Sequence, residues 1–282
     1  ATNGSLFVSS TGKIEHMSGS LKSGSAENSL FFGTTSGSDF LTNYPTGSEL
    51  LLHYTFNDGG KTPIQDYSGN ANTGSASLSQ NLSTAFGYEG MGAQFVSSSY
   101  DTITLPTSVG GKALQTFTFA MWIKKDVSSA TGSSANGTYS NFIHSSAGNF
   151  IIIESADDIT YRIPGVQTSF DSANPGQTHF NQSVVPSGSW THLALTYNQA
   201  TSSVYINGIL KNEGHLGSGT VNLGSNIILG GPGASSKHNW GGMIDDFRLY
   251  TGSLSATEVE ALYSGSEGIV LTTGDNTNHG FD

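Results

Sequence analysis

The chain has 282 residues, no cysteine, 37 glycines and a formal net charge of −11, from 21 acidic against 10 basic side chains. That length accommodates one large β-sandwich plus an appendage, with a core that needs no disulfides, and the lack of cysteine excludes thiolate metal sites. So few Lys and Arg argue against a nucleic-acid surface, and no apolar run approaches the about 20 residues of a membrane helix.

Polarity comes instead from Ser, Thr, Asn and Gly, a surface suited to hydrogen bonding with sugars or to salty water. No secretion signal is visible. Ala1 is what either methionine removal or signal cleavage would leave, so export stays open.

Residues 1–47 carry short apolar runs, Leu6-Phe7-Val8, Lys13 to Met17 and Ser29 to Phe32, punctuated by Ser-Gly turns. Gly4-Ser5-Leu6 recurs as Gly19-Ser20-Leu21, an offset of 15 residues. A repeat that short cannot bury its apolar side alone, so it must stack on copies of itself, on the main domain or on another chain. A flexible Gly/Ser linker is the alternative.

From Gly47 onward, strand-like segments alternate with Gly/Asn/Ser turns. The predicted strands are Glu49–Phe56, Met91–Phe95, Thr102–Leu105, Phe117–Lys124, Asn141–Ile143, Asn149–Glu154, Ile159–Ile163, Trp190–Asn198, Ser202–Ile206, Ile209–Glu213, Ile227–Gly230 and Gly242–Tyr250. That many strands spaced by turns mean a sandwich or jelly roll. Within Phe117–Trp122 both alternating sets are largely apolar, which puts this strand at a sheet centre. Asn207-Gly208 between apolar segments predicts a type I′ hairpin.

One helix is expected near residues 255–263. Ser255 and Glu258 form a capping box ahead of Val259, Leu262 and Tyr263. Trp122 and Trp190 read as core anchors, and His192 as a satisfied core histidine between apolar neighbours. The tail, 265–282, is turn-rich.

Four stretches in this order resemble the laminin-G-like/concanavalin A-like jelly-roll superfamily. They are Leu51–Phe56 continuing through Asp66-Tyr67-Ser68-Gly69-Asn70, then Phe117–Lys124, then Ser189–Tyr197 running on to Val204–Gly208, then Gly242–Tyr250 with Leu254–Val259. The resemblance implies an all-β, two-sheet antiparallel jelly-roll sandwich over residues 48–264, between an N-terminal β-repeat arm (1–47) and a tail (265–282).

The same resemblance implies a structural calcium ion, with Asn57, Asp66, Ser68, Asn70 and Asp245 at the matching positions. Calcium needs six to eight oxygen ligands, which this set supplies only together with backbone carbonyls. Asn57 stands where the family more often has aspartate. The alternative is that Asp66 and Asn70 close an Asx-type turn and that Asp246 pairs with Arg248.

Fold alone does not decide catalysis, because the scaffold also hosts glycanases and lyases. No pair of acids alternates along a strand as a glycosidase requires, and only two arginines, Arg162 and Arg248, are present for a lyase. The expectation is a non-enzyme.

Two binding roles remain. In a carbohydrate-binding module of a secreted or cell-surface protein, Tyr139, His238, Asn239 and Trp240 would contact the sugar, unless Trp240 tucks onto the sandwich edge. In a virion appendage, fibre or capsid-decoration protein, the arm resembles β-repeat stretches of tailed-phage structural proteins, notably those of marine myoviruses. That resemblance implies a homo-oligomer, a trimer foremost, held by residues 1–47, other virion proteins as partners and a virion or extracellular location. It is the favoured role, and glycan recognition is compatible with it.

Overall fold

The computed structural model describes residues 5–8, 14–18, 50–57, 63–77, 86–96, 99–126, 140–145, 151–155, 158–162, 178–179, 185–199, 201–215, 221–231 and 239–265. In chain order its strands are β1 (Ser5–Val8), β2 (Ile14–Ser18), β3 (Leu50–Tyr54), β4 (Ser75–Ser77), β5 (Ala93–Phe95) and β6 (Thr102–Thr104). After helix α1 (Thr107–Gly110) come β7 (Ala113–Leu114), β8 (Phe117–Lys125), β9 (Ser140–Ser145), β10 (Ile151–Ser155), β11 (Asp158–Arg162) and β12 (Thr178–His179). The chain continues with β13 (Trp190–Tyr197), β14 (Thr201–Ile206), β15 (Ile209–His215), β16 (Val221–Asn222), β17 (Ile227–Leu229), β18 (Gly242–Tyr250) and helix α2 (Ala256–Gly265).

Two seven-stranded antiparallel sheets make the sandwich. One runs β12-β11-β10-β9-β17-β6-β4; the other runs β15-β14-β13-β8-β18-β3, with β5 also paired to β18. The expected all-β architecture is therefore the observed one. β8 is central, flanked by β13 and β18, as its two apolar faces demand.

Alternation along β8 sorts its side chains. Phe117, Phe119, Met121 and Ile123 join Leu193 and Leu195 of β13, Phe247 and Leu249 of β18, and Ile103, Ile143 and Leu229 from the facing sheet in one buried core. Each such side chain contributes about 1.5–3 kcal/mol by leaving water. Ala120 and Ala194 point the other way and, being small, let α2 lie on the sheet's outer face, where Val259, Leu262 and Leu254 pack with Tyr205 and Tyr250. The capping box is formed: Glu258 accepts from the Ser255 N–H at 2.7 Å, and Ser255 Oγ accepts from the Glu258 N–H at 3.4 Å.

Several elements carried no sequence signal. α1 is one turn of four residues after Pro106, too short for periodicity to register, and β4, β7, β12 and β16 span two or three residues each. The predicted strand from Met91 begins at Ala93, because Met91 bridges to Phe86 in a tight loop instead. In the N-terminal segment β1 and β2 pair antiparallel, Leu6 opposite Met17 and Phe7 opposite His16. The third apolar run, 29–32, lies outside the described residues.

The Asn207-Gly208 turn has both residues at positive φ, 49° and 75°, between the paired Ile206 and Ile209. Its Asn207 Oδ1 accepts from the His192 N–H at 2.9 Å, while the Asn207 N–H donates back to the His192 carbonyl at 2.9 Å, tying the hairpin to β13. Asn207→Ala removes a residue tolerant of left-handed backbone and leaves the His192 N–H without its acceptor. Urea denaturation should show a loss of about 2 kcal/mol.

Candidate functional site

The outer face of the β8 sheet is divided. α2 covers the half around Ala120 and Ala194, and in the other half the register places chemistry side by side. Asp245 of β18 stands opposite Trp122 of β8, which stands opposite His192 of β13. One step along, Met243, Lys124 and Trp190 are aligned in the same way. One step back, His53 and Arg248 are paired.

Aromatic rings close over the middle row. Tyr88, from the 86–91 loop, stacks on Trp122 with ring centroids 3.4 Å apart and planes 9° from parallel, and meets Trp190 edge-on at 6.2 Å. Tyr263, from the end of α2, lies 5.6 Å from Trp122 and 6.0 Å from His192. Lys124 Nζ sits over the Trp190 ring at 5.9 Å. Beneath these rings Trp122 and His192 are each only 2% exposed. Among the described residues Trp122 Nε1 and His192 Nδ1 find no hydrogen-bond partner, as is also true of His144 Nδ1 and Asn141 Oδ1 in the facing sheet, but here the two atoms lie on paired residues of adjacent strands. A buried polar group left so costs about 1–3 kcal/mol, and folded proteins rarely tolerate two side by side.

The sequence reading of His192 is thus corrected: it is buried but not satisfied. Trp122 is buried, as expected, yet it belongs to the outer row and not to the inter-sheet core. Burial pushes the His192 imidazole down to about 4, Asp246 opposing this and Arg248 adding to it, so the ring is neutral near pH 7.

Two consecutive acids border the row. A bulge in the β18–β8 ladder between Asp245 and Arg248 puts Asp246 at φ 47°, a conformation Asp tolerates. The bulge lets the Asp246 carboxylate reach Arg248 Nη2 at 3.0 Å and His53 Nε2 at 2.6 Å. Burial alone would raise the Asp246 carboxyl, but Arg248 and then His53 outweigh it and hold the group at about 2.

Asp245 is the opposite case. It is 1% exposed, and burial raises its carboxyl to about 7 against the pull of main-chain N–H groups of Glu89, Asp246 and Tyr88. The Glu89 N–H donates at 3.0 Å and the Asp246 N–H at 2.7 Å. Asn57 Oδ1 accepts from the Met91 N–H at 2.7 Å, so Asp245 and Asn57 between them hold the loop that carries Tyr88. Gly87 and Gly90 permit this close approach, since a Cβ on either would collide with Asp245 Oδ2 or Asn57 Oδ1.

The five residues expected around calcium fall into two groups. Asp66 accepts from the His53, Ser68 and Asn72 N–H groups and from Ser68 Oγ, all at 2.8–2.9 Å. Four donors occupy both of its oxygens, and the contact from Ser68 N is an Asx turn. Asn70 turns its amide nitrogen to the Leu50 carbonyl at 2.8 Å, donating where a metal would need an acceptor. Asn57 and Asp245 instead accept from main-chain N–H groups of the 86–91 loop, away from the Asp66 turn. With the oxygens of Asp66, Asn57 and Asp245 turned to main-chain N–H donors and Asn70 donating, the set does not fit a calcium ion in this geometry. Among the described residues no three His, Asp or Glu side chains cluster as a metal would require.

Of the expected sugar contacts, Tyr139 and His238 lie outside the described residues. Trp240 is 1% exposed and part of the inter-sheet core, so the expected sugar platform is corrected: its ring faces the sandwich interior and offers no face to a ligand. Asn239 beside it is 4% exposed. The residues that do gather, Tyr88, Trp122, Trp190, His192 and Tyr263, include three read from sequence as core. The signal lay in parity, because Trp122 alternates in phase with the charged Lys124 and out of phase with Phe119 and Met121.

The chain belongs to the concanavalin A-like lectin/glucanases superfamily, whose Laminin_G_3 family model matches residues 97–260, more than half of it. A search of curated proteins finds no match. Among solved structures it is similar to the binding domain of Paraclostridial Mosquitocidal Protein 1 (TM-score 0.57, 18% identity, 77% of this chain and 52% of that one). It is also similar to the botulinum neurotoxin serotype D ligand binding domain in complex with N-acetylneuraminic acid (TM-score 0.56, 18% identity, 77% and 51%). A third is domain 4 of AbnA, a GH43 extracellular arabinanase from Geobacillus stearothermophilus, in complex with arabinotriose (TM-score 0.51, 20% identity, 76% and 98%). The chain spans about half the length of the toxin domains it matches. At these identities the likeness shows the fold.

The raised Asp245 carboxyl has a stability consequence. The folded state holds a proton there that the unfolded state releases, so this group's contribution is full below about pH 4 and is lost as pH rises to about 7. His192 acts in the opposite direction, its contribution being lost as pH falls from about 6.5 toward 4. Urea titrations of wild type and Asp245→Asn between pH 4 and 8 isolate the first effect. The variant's stability relative to wild type should climb with pH up to about 7 and then level off.

Proposed function

We propose that the chain is a non-catalytic recognition module that binds glycans, and that the Asp245–Trp122–His192 row is where it binds them. The observation that carries this reading is the pair of buried, unpartnered ring nitrogens of Trp122 and His192 set among stacked aromatic rings. Sugars present stacking faces and hydroxyls to such a surface. The family and the two sugar-bound neighbours support it.

The two acids have strongly different proton affinities, an arrangement that acid–base pairs use. Here Asp246 is ion-paired with Arg248 and within hydrogen-bond distance of His53, and Asp245 lies under the loop with main-chain donors on both oxygens. Both carboxylates are engaged in holding structure, which supports binding without cleavage.

Saturable binding on a glycan array tests the site. Trp190→Ala, which alters a partly buried ring outside the core clusters, should weaken binding about tenfold, the equivalent of about 1.4 kcal/mol of lost stacking. An array with no bound glycan defeats the reading, and cleavage of a bound glycan that Asp246→Asn abolishes defeats its non-catalytic part.

A virion appendage, fibre or decoration component is the finer form of this proposal. The β1–β2 hairpin supports it, because its two short strands begin the Gly-Ser-Leu repeat that is expected to stack on other copies. Light scattering on the full chain should then give a stable trimer, and a monomer at micromolar concentration contradicts the mounting role.

A further inference from the structure

We propose that the 86–91 loop is a lid, that Tyr88 occupies the stacking face of Trp122 in the closed state, and that an uncharged, hydroxyl-bearing sugar ring takes its place there. The inference rests on the glycan-binding reading above and adds the gate and the ligand class.

Three observations carry it. First, the Tyr88–Trp122 stack, at 3.4 Å and 9°, covers one face of Trp122 with the chain's own ring, a face on which a sugar ring would otherwise stack. Second, the ring nitrogens at the floor lack partners although Tyr88 and Tyr263 cover them, so the closed state leaves hydrogen bonds unmade that a ligand would make. Third, part of the loop's anchoring comes from side chains outside it, Asp245 to the Glu89 and Tyr88 N–H groups and Asn57 to the Met91 N–H. A turn of six residues closed on itself by the Phe86–Met91 bridge can swing as a unit about Gly92, breaking its contacts to Asp245 and Asn57 without unpairing a ladder of the main sheets.

The ligand class follows from the donors. Trp122 Nε1 only donates, and His192 Nδ1, on a neutral ring, accepts or donates according to tautomer. Hydroxyls do both, so a polyol meets either state of the pair. Anionic groups fit less well: the ionised Asp246 borders the row, Arg248 is already paired with it, Lys124 is turned to the Trp190 ring, and the chain carries a net charge of −11.

Tyr88→Ala and Trp122→Phe test this in the full-length chain. Hydrogen exchange of the Trp122 indole N–H, followed by NMR, reads the lid without any ligand, and Tyr88→Ala should accelerate it at least tenfold. Isothermal titration with neutral oligosaccharides, arabinotriose among the probes, should show Tyr88→Ala binding several-fold tighter than wild type, because the competing ring is gone. Trp122→Phe, which keeps the aromatic bulk and loses the N–H, should bind about tenfold more weakly. Tyr88→Ala that leaves indole exchange unchanged, or weakens binding as Trp122→Phe does, overturns the lid and makes Tyr88 a fixed wall of the site. Binding confined to sialylated or sulfated glycans overturns the ligand class and leaves the glycan reading standing. No glycan binding by any of the three proteins overturns that reading itself.

Discussion

Everything on the outer face depends on the antiparallel register that holds β8 between β13 and β18. Because side chains alternate, one register sends Phe117, Phe119, Met121 and Ile123 into the core and, by the same act, aligns Asp245, Trp122 and His192 on the other side. A slip of one residue would exchange the two sets. The large apolar stake in the core therefore fixes the geometry of the outer row.

That division explains why the outer face mixes so many interests. Small residues, Ala120 and Ala194, seat α2 over one half, and large rings fill the other, with Tyr263 on the last turn of the helix reaching across the boundary to Trp122 and His192. The bulge at Asp246 breaks the alternation at one place and turns a second carboxylate outward to meet Arg248 and His53. The strain of a left-handed aspartate, the burial of Asp245 and the unmet ring nitrogens of Trp122 and His192 fall on three neighbouring strands, and function concentrates such departures from stable packing.

The fold was legible because its signals are local and periodic. β8, β13 and β18 announce themselves by alternation, the β14–β15 turn by Asn207-Gly208, and α2 by Ser255 and Glu258. The site was not, since it is assembled from residues far apart in sequence whose only shared property is parity across three strands. Trp122 and His192 look like core residues to any one-dimensional reading, being flanked by apolar neighbours, and Tyr88 sits in a loop with no pattern at all. Trp240 misled in the opposite direction: a polar neighbourhood, Lys237-His238-Asn239, suggested an exposed ring, and the chain turns it inward. The Asp66 loop shows the same limit, because oxygen-rich spacing alone does not tell a metal cradle from a turn whose carboxylate is filled by three main-chain N–H groups and the Ser68 hydroxyl.

The chain has three tryptophans, each with one indole N–H, and the structure gives them distinct roles: Trp122 in the row, Trp190 at its edge and Trp240 in the core. An NMR titration of the full-length protein with a bound oligosaccharide reads all three at once. If the outer row is the binding site, the Trp122 and Trp190 indole signals shift on saturation while that of Trp240 stays in place. A titration that moves Trp240 alone, or that saturates without moving Trp122, contradicts the account.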